Sequence, residues 1–455
     1  MDWLGETVAG LVACIGFALL GLLFLSASST HRQTLRFQFR LMITALVLRF
    51  VASLVIYQVG LGKLLGEDDA VGWLYGSQLR EVWVGNKLGL IDLPRIWKGA
   101  FAPGNETLGM SPHLGYYYLL GTIFMVIGTA SRMVAATLNC FLGALIVVFS
   151  YRTARALFTE WTAVRVGWWT CLFPSMIVWS AQTIKEPVVI LLEVMALYGC
   201  VRLKQSGFAL KYIVLCAVSI VLMTPFRFYA AYIGVAAVGL SLLTPNRRGK
   251  FAIGSAVAVG LFLVILVAAT DALATGEAKI EQFDIDFIQK FRRDLAEGSG
   301  SGLNLNVDMR TTTGFSAATA VGAAHLLLAP FPWQIGGASL RMLLTLPELA
   351  YWWWLFFVGV VPGLWYCSRR RLVDVVPLLV FLVGLGLLYS MTFGNIGVVF
   401  RQRAQLLPWL FIFAGVGLEL RERRILQRKY ARALMWMRLR TVPEAPPAAP
   451  RPAST

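Results

Sequence analysis

Leu41-Met-Ile-Thr-Ala-Leu-Val-Leu-Arg-Phe-Val-Ala-Ser-Leu-Val-Ile-Tyr-Gln-Val-Gly-Leu61 is followed almost at once by Gly66-Glu-Asp-Asp-Ala-Val-Gly-Trp-Leu-Tyr75. The first stretch is long enough to cross a hydrocarbon core, which takes about 20 apolar residues as a helix. The second places three acids in a row just beyond it. A membrane-spanning helix that opens into a carboxylate-bearing loop sets the terms for the rest of the chain.

Working outward, apolar runs of similar length recur, and 58% of the 455 residues are hydrophobic against 14% charged. That balance excludes a soluble globular fold. Backbone groups in lipid must pair internally, and no chain-wide alternation suggests a barrel, so the spans are expected to be helices. The expected fold is an all-α polytopic bundle. The net charge of +17, from 41 Lys and Arg against 24 acids, reads as topology and contact with anionic lipid. No soluble segment carries the basic, aromatic layout of a nucleic-acid binder. Cys14, Cys140, Cys171, Cys200, Cys216 and Cys367 all lie in or beside apolar runs without CxxC spacing, and behave as small core residues. The run from Val8 to Leu25 lacks a basic n-region and is too long for a signal h-region, so it is expected to be retained as a helix.

Spans are expected at 7–27, 41–61, 133–150, 163–181, 186–202, 210–224, 226–243, 251–270, 348–367, 374–391 and 405–419. Basic clusters at Arg32–Arg40, Arg152–Arg165, Arg202–Lys211, Arg247–Lys250 and Arg369–Arg371 mark one side as cytoplasmic. These assignments agree with one another if 114–128, short and carrying three tyrosines, does not cross. About eleven crossings follow, with the N-terminus outside. The helical body covers 1–420, with non-cytoplasmic loops 62–112 and 271–347. Residues 421–441 form a basic amphipathic helix suited to an anionic inner leaflet, and 442–455 a Pro/Ala-rich tail expected to be disordered.

Candidate chemistry gathers at the non-cytoplasmic side. Adjacent carboxylates at Glu67, Asp68 and Asp69 repel one another, and an acid held near another raises its pKa. Such a group can act as general base or metal ligand; the alternative is a solvated acidic loop. Ser180-Ala-Gln-Thr-Ile-Lys185-Glu186-Pro187 lies between two spans. Pro187 suits a first helical turn, a carboxylate at Glu186 is favoured by the dipole, and Lys185 could hold a phosphate; an ordinary helix cap is the alternative. Glu193, inside an apolar helix, costs about 2.5–3.5 kcal/mol to insert and requires a partner. It reads as helix–helix glue. Arg227, Arg401 and Arg403 fall on the side where arginine is disfavoured, and a planar charged fork on a lipid phosphate explains them; snorkelling is the alternative. Arg341 and Glu348 read as a local ion pair. His31, His113 and His325 make no zinc spacing, and no nucleotide-binding glycine loop is present.

The order of these features resembles the GT-C superfamily of membrane glycosyltransferases, in particular bacterial relatives of protein O-mannosyltransferases and of the aminoarabinose transferase. The residues that carry the resemblance are Asp68-Asp69 with Tyr75 after the span, then Pro112-His-Leu-Gly-Tyr-Tyr-Tyr-Leu-Leu120 and Ile127-Gly-Thr-Ala-Ser-Arg-Met-Val-Ala-Ala-Thr-Leu-Asn139. Tyr151-Arg-Thr-Ala-Arg-Ala-Leu-Phe158 and Phe173-Pro-Ser-Met-Ile-Val-Trp-Ser180 with Lys185-Glu186 follow. Ala329-Pro-Phe-Pro-Trp333 and the Arg401/Arg403 segment are similar to polysaccharide-synthesis members.

The resemblance implies a sugar donor on a polyprenyl phosphate. A compact tail in place of the large soluble domain of better-known members is a departure from the pattern, and a lipid or glycan acceptor is therefore expected. The resemblance implies catalysis by Asp69 or Asp68 with Glu186, and substrate contacts from Lys185, Arg227, Arg401, Arg403, Tyr75 and His113. A divalent cation held by the first-loop acid is a further implication. The reading is therefore a multi-pass glycosyltransferase of the bacterial inner membrane, active on the non-cytoplasmic face and serving envelope polysaccharide. A polysaccharide or O-antigen polymerase or ligase would use the same side similarly. A lipid-linked-sugar flippase would instead place its charges at the midplane.

Overall fold

The computed structural model describes residues 3–28, 32–60, 68–101, 114–205, 209–244, 284–297, 302–303, 307–337 and 346–440; the expected span 251–270 and the tail 442–455 lie outside these. The described chain is helical. It begins with α1 (Trp3–Ser28), α2 (Arg32–Gln58), α3 (Asp68–Gly85), α4 (Leu93–Phe101) and α5 (Gly115–Ile127). Next come α6 (Arg132–Leu157), α7 (Glu160–Leu172), α8 (Pro174–Ser180), α9 (Glu186–Gln205) and α10 (Leu210–Leu243). The chain closes with α11 (Ile285–Glu297), α12 (Thr312–Leu328), α13 (Leu346–Leu355), α14 (Val361–Arg370), α15 (Leu372–Met391) and α16 (Ile396–Arg440). A five-residue π segment, Phe356–Val360, joins α13 to α14. One isolated bridge, Gly302 to Asn395, is the only β pairing among the described residues.

The all-α polytopic bundle is as the composition demands. Among the described residues, seven helices are long and apolar enough to cross a membrane. The difference from eleven has local causes. Pro174 splits the expected span 163–181 into α7 and α8, because the residue before a proline is driven out of the helical region and Phe173 is extended (φ −65°, ψ 122°). α9 has bilayer length but carries charges in its middle and at both ends.

The helix α10 is counted once although it holds two arms. Arg227 inside it is non-helical (φ −154°, ψ 86°). A continuous 34-residue helix would be about 51 Å long. Yet Arg202 Nε donates to the Tyr212 hydroxyl at 3.3 Å and Lys204 Nζ donates to Thr244 Oγ1 at 2.8 Å. Both ends of α10 therefore meet the end of α9, and the chain turns back at Pro225–Arg227. The two expected spans, 210–224 and 226–243, match these two arms.

At the centre stands α6, packed on by α1, α2, α7 and α9 and buried along nearly its whole length. By contrast α1 shows Leu, Val and Ile to the outside, as a lipid-facing helix must. Polar pairs fix which helix ends lie together. At the basic end, Arg152 donates to Gln38 and Ser28, and Arg371 to the Leu157 carbonyl. At the opposite end, Glu6 accepts from Ser131 and the Met133 amide. The short helix α5 has both its ends at this second end. Gly115 abuts Pro225 at the turn of α10, and Gly128 leads through Ser131 into α6. Its 13 residues are fewer than a hydrocarbon core requires of a helix. The last span and the basic segment 421–440 form a single helix, α16, without a break at residue 420.

Candidate active site

The end of the bundle opposite the basic clusters holds a buried ionic network built by three helices far apart in sequence. α9 supplies Glu186 at its first residue, with Pro187 behind it where a missing N–H costs nothing. The turn of α10 supplies Arg227; Pro225 removes a backbone donor and the extended Arg227 swings its guanidinium inward. α16 supplies Arg401 from its second turn.

Arg227 Nη2 donates to Glu186 Oε1 at 2.8 Å, and Arg401 Nε lies 3.2 Å from the same oxygen. Glu186 is 1% exposed, Arg227 4% and Arg401 22%, so the pair is buried and Arg401 forms its open side. The second arginine nitrogen, Nη1, donates to the hydroxyls of Tyr229 and Tyr389, each at 2.7 Å. In the amide orientation that matches donors to acceptors, Gln405 accepts from Arg227 Nη1 at 2.9 Å and donates to Glu193 Oε1 at 3.2 Å. Glu193 is thus tied across from α9 to α16, in keeping with helix–helix glue.

Two atoms at the centre stand out. Glu186 Oε2 and Arg227 Nε are buried and make no hydrogen bond to any described residue. A buried polar atom without a partner costs about 1–3 kcal/mol, so both keep hydrogen-bonding capacity that the described residues do not use. Lys185 also acts electrostatically on Glu186. Three cations therefore surround one carboxylate, a balance complementary to an added anion.

The loop that presents Lys185 and Glu186 is pinned. Asn139 Nδ2 donates to the carbonyls of Gln182 (2.5 Å) and Ile184 (2.8 Å) and to the Tyr116 hydroxyl (3.0 Å). The Thr183 amide donates to the Tyr57 hydroxyl at 3.2 Å. Helix α3 arrives on the same loop. A Cβ built on Gly72 would lie 2.7 Å from the Thr183 carbonyl oxygen, so only glycine permits that approach. Asp68 and Asp69 open α3 one turn before Gly72. Tyr75, one turn further, sets its ring 5.1 Å from that of Tyr117. The side chains of Asp68 and Asp69, and Glu67, His113 and Arg341 altogether, lie outside the described residues.

Arg403 does not join Arg401. Two residues along a helix is a rotation of about 200°, and Arg403 points away, donating to the Ala329 carbonyl at 2.9 Å. Its guanidinium lies 4.3 Å from the centre of the Phe400 ring. Glu348 accepts from the Ser175 amide at 2.7 Å; the ion pair expected with Arg341 falls outside the described residues. His325 belongs to this second cluster. It meets the Val321 carbonyl at 2.8 Å and Gln334 Nε2 at 2.9 Å, and stacks on Phe393. Burial holds its imidazole below the usual range.

Tyr229, Tyr389, Gln405 and Asn139 carry no signal in the sequence, since each sits in an ordinary apolar segment. Arg49 did carry one. It interrupts the run 41–61, and the insertion cost that singles out Glu193 applies equally to it. It is fully buried and donates to Ser180 Oγ (2.8 Å) and to the Thr170 (3.0 Å) and Cys171 (3.2 Å) carbonyls.

Among the described residues no three His, Cys, Asp or Glu side chains converge. The donor set around Glu186, dominated by guanidinium groups, does not fit a cation.

No family model matches the chain, and no curated protein matches it. Among solved structures, it is similar to the oligosaccharyltransferase of Archaeoglobus fulgidus in the apo form, at 13% identity and a TM-score of 0.48, covering 86% of this chain and 52% of that one. The same enzyme tethered with an acceptor peptide gives 12% identity and a TM-score of 0.45, covering 83% and 49%. Its complex with an inhibitory peptide and a dolichol-phosphate gives 13% and 0.44, covering 86% and 52%. The chain spans about half the length of these structures.

Proposed function

We propose that this chain is an integral-membrane glycosyltransferase that moves a sugar from a polyprenyl-phosphate donor to a hydroxyl of a lipid or glycan acceptor. In this reading it works at the non-cytoplasmic face of a bacterial inner membrane. The observation that carries it is the buried Glu186–Arg227–Arg401 network, with unpartnered polar atoms, at the bundle end where α3 begins with Asp68 and Asp69.

Glycosyl transfer breaks the bond between the anomeric carbon and the phosphate oxygen and forms one to the acceptor oxygen. Negative charge develops on the departing polyprenyl phosphate. Fixed guanidinium groups in a water-poor site stabilise such charge best, because they need no reorganisation as it appears. Arg401, the more open of the two arginines, and Lys185 take the phosphate; Arg227 completes the field from below. Glu186, held between two guanidinium groups, is a poor proton acceptor. Its part is to fix both arginines in place. The general base that takes the acceptor hydroxyl proton is then Asp69 or Asp68 on α3.

The test is a transfer assay on purified, reconstituted protein with Asp68→Asn, Asp69→Asn, Glu186→Gln and Arg401→Ala. Loss of about a hundredfold is expected for Arg401→Ala and for one of the two aspartates. Full transfer by all four variants at normal expression overturns the reading.

A further inference from the structure

At the opposite, basic end the structure contains a second feature, independent of the proposed transfer reaction. Helices α14 and α16 cross at glycine. A Cβ built on Gly363 would fall 1.9 Å from the Phe413 carbonyl oxygen, and one on Gly417 would fall 2.0 Å from that of Gly359. The backbones touch there, as small residues permit in membrane bundles. Beyond the crossing the helices diverge and leave a cavity of about 770 Å³. Its apex is apolar, lined by Val358, Pro362 and Leu420; its mouth carries Arg369, Arg370, Arg421, Arg424 and Arg428.

Nearby acids do not neutralise these arginines. Glu419 accepts from Thr159, Thr162 and Arg423, Glu422 pairs with Arg165 at 2.8 Å, and Asp374 pairs with Arg371 at 2.8 Å. The spacing explains the segregation. Arg421, Arg424 and Arg428 recur at i, i+3 and i+7 on one face of α16, while Glu419 and Glu422 turn toward α7. None of the five mouth arginines pairs with a carboxylate among the described residues. Arg369 instead stacks 3.8 Å from the centre of the Trp365 ring, and Trp365 is 61% exposed. An exposed tryptophan at the end of a spanning helix sits at headgroup depth.

We infer that the wedge between α14 and α16 binds an anionic membrane phospholipid, acyl chain toward the apolar apex and phosphate among the five arginines. An apolar apex continuous with a cationic mouth at the membrane boundary fits an amphiphile, where a flat basic surface would fit only diffuse charge. This is a discrete site, beyond the general attraction of a basic helix to an acidic leaflet.

The full chain is reconstituted in nanodiscs of phosphatidylcholine with or without phosphatidylglycerol, then extracted, and retained lipid is counted by native mass spectrometry. Wild type should keep phosphatidylglycerol. Arg424→Ala/Arg428→Ala should lower retention by about tenfold or more, since each basic residue near an anionic surface contributes measurably. Arg423→Ala, on the Glu419 side, should leave it unchanged. Arg369→Gln/Arg370→Gln, from the other wall, should repeat the loss and stands in if the first pair fails to fold. Equal loss with Arg423→Ala overturns the inference in favour of diffuse charge. Equal thermal stabilisation by inorganic pyrophosphate and by phosphatidylglycerol overturns it in favour of a free-phosphate site.

Discussion

Arg49 and Arg227 are both buried guanidinium groups inside a membrane bundle, and they are settled by different means. Arg49 has no carboxylate among its hydrogen-bond partners; it donates to Ser180 and to the Thr170 and Cys171 carbonyls, where α7 ends. Those are the unsatisfied groups at the negative end of a helix, so a cation there completes the helix. Arg227 instead faces a carboxylate, two tyrosines and an amide, and keeps one nitrogen without a hydrogen-bond partner among the described residues. The first arrangement uses up its polar atoms and braces the break between α7 and α8. The second leaves polar atoms over, beside the more open Arg401. A buried charge is thus a pointer to chemistry only when its neighbours do not exhaust it.

The largest effect that could break this contrast is at Arg227. Arg227→Met should leave Glu186 without its most buried cation, cost about 3–5 kcal/mol in stability and abolish transfer. Glu186→Leu with Arg227→Met together should recover much of that stability, because removing a whole buried pair is often near neutral, and should recover no transfer. Denaturation in detergent beside the transfer assay reads both. Recovered transfer in the double variant would show that the pair is only structural.

Next in size is Arg49→Met. It strands two carbonyls and a hydroxyl, at about 1–3 kcal/mol each, so folded yield should fall. The surviving folded fraction should transfer sugar at the wild-type rate per molecule. A slower rate in that fraction would erase the distinction between the two arginines.

A smaller effect concerns His325. Burial depresses its pKa below 6.5, so the folded state favours the neutral ring and the unfolded state binds the proton more readily. Stability from this group is full above the ordinary imidazole pKa and is lost as pH falls through the depressed folded value. Protection of 312–334 against hydrogen exchange, corrected for the intrinsic pH dependence of amide exchange, should fall as the pH drops below the ordinary imidazole value, and His325→Gln should flatten that response. The smallest effect is expected at Arg310→Ala. Its partner Asp286 is exposed and is held below the usual carboxylate range by the Arg310 hydrogen bond. Surface pairs contribute little, so the thermal midpoint should not move measurably.

Much of the fold was legible because lipid leaves the backbone few choices. The runs 7–27 and 374–391 became helices close to their expected limits, and 41–61 and 133–150 fall largely within longer helices, Arg32–Gln58 and Arg132–Leu157. Pro174 is also readable as a break, and the expected span 163–181 runs across it. Arg401 and Arg403 are neighbours in sequence, but the helical period sets them on different faces. The partners of Arg227 were not legible, since Tyr389 and Gln405 belong to segments whose pattern says only that they are helical.

Hydrophobic length, charge distribution and proline positions determined an all-α membrane bundle with one basic end, because each depends on transfer energies that a residue carries with it. The convergence of Glu186, Arg227 and Arg401 depended on which helices pack side by side. Apolar faces in lipid are nearly interchangeable, so close approach at glycines and the pairing of buried polar groups made that choice, and both exist only in the assembled structure.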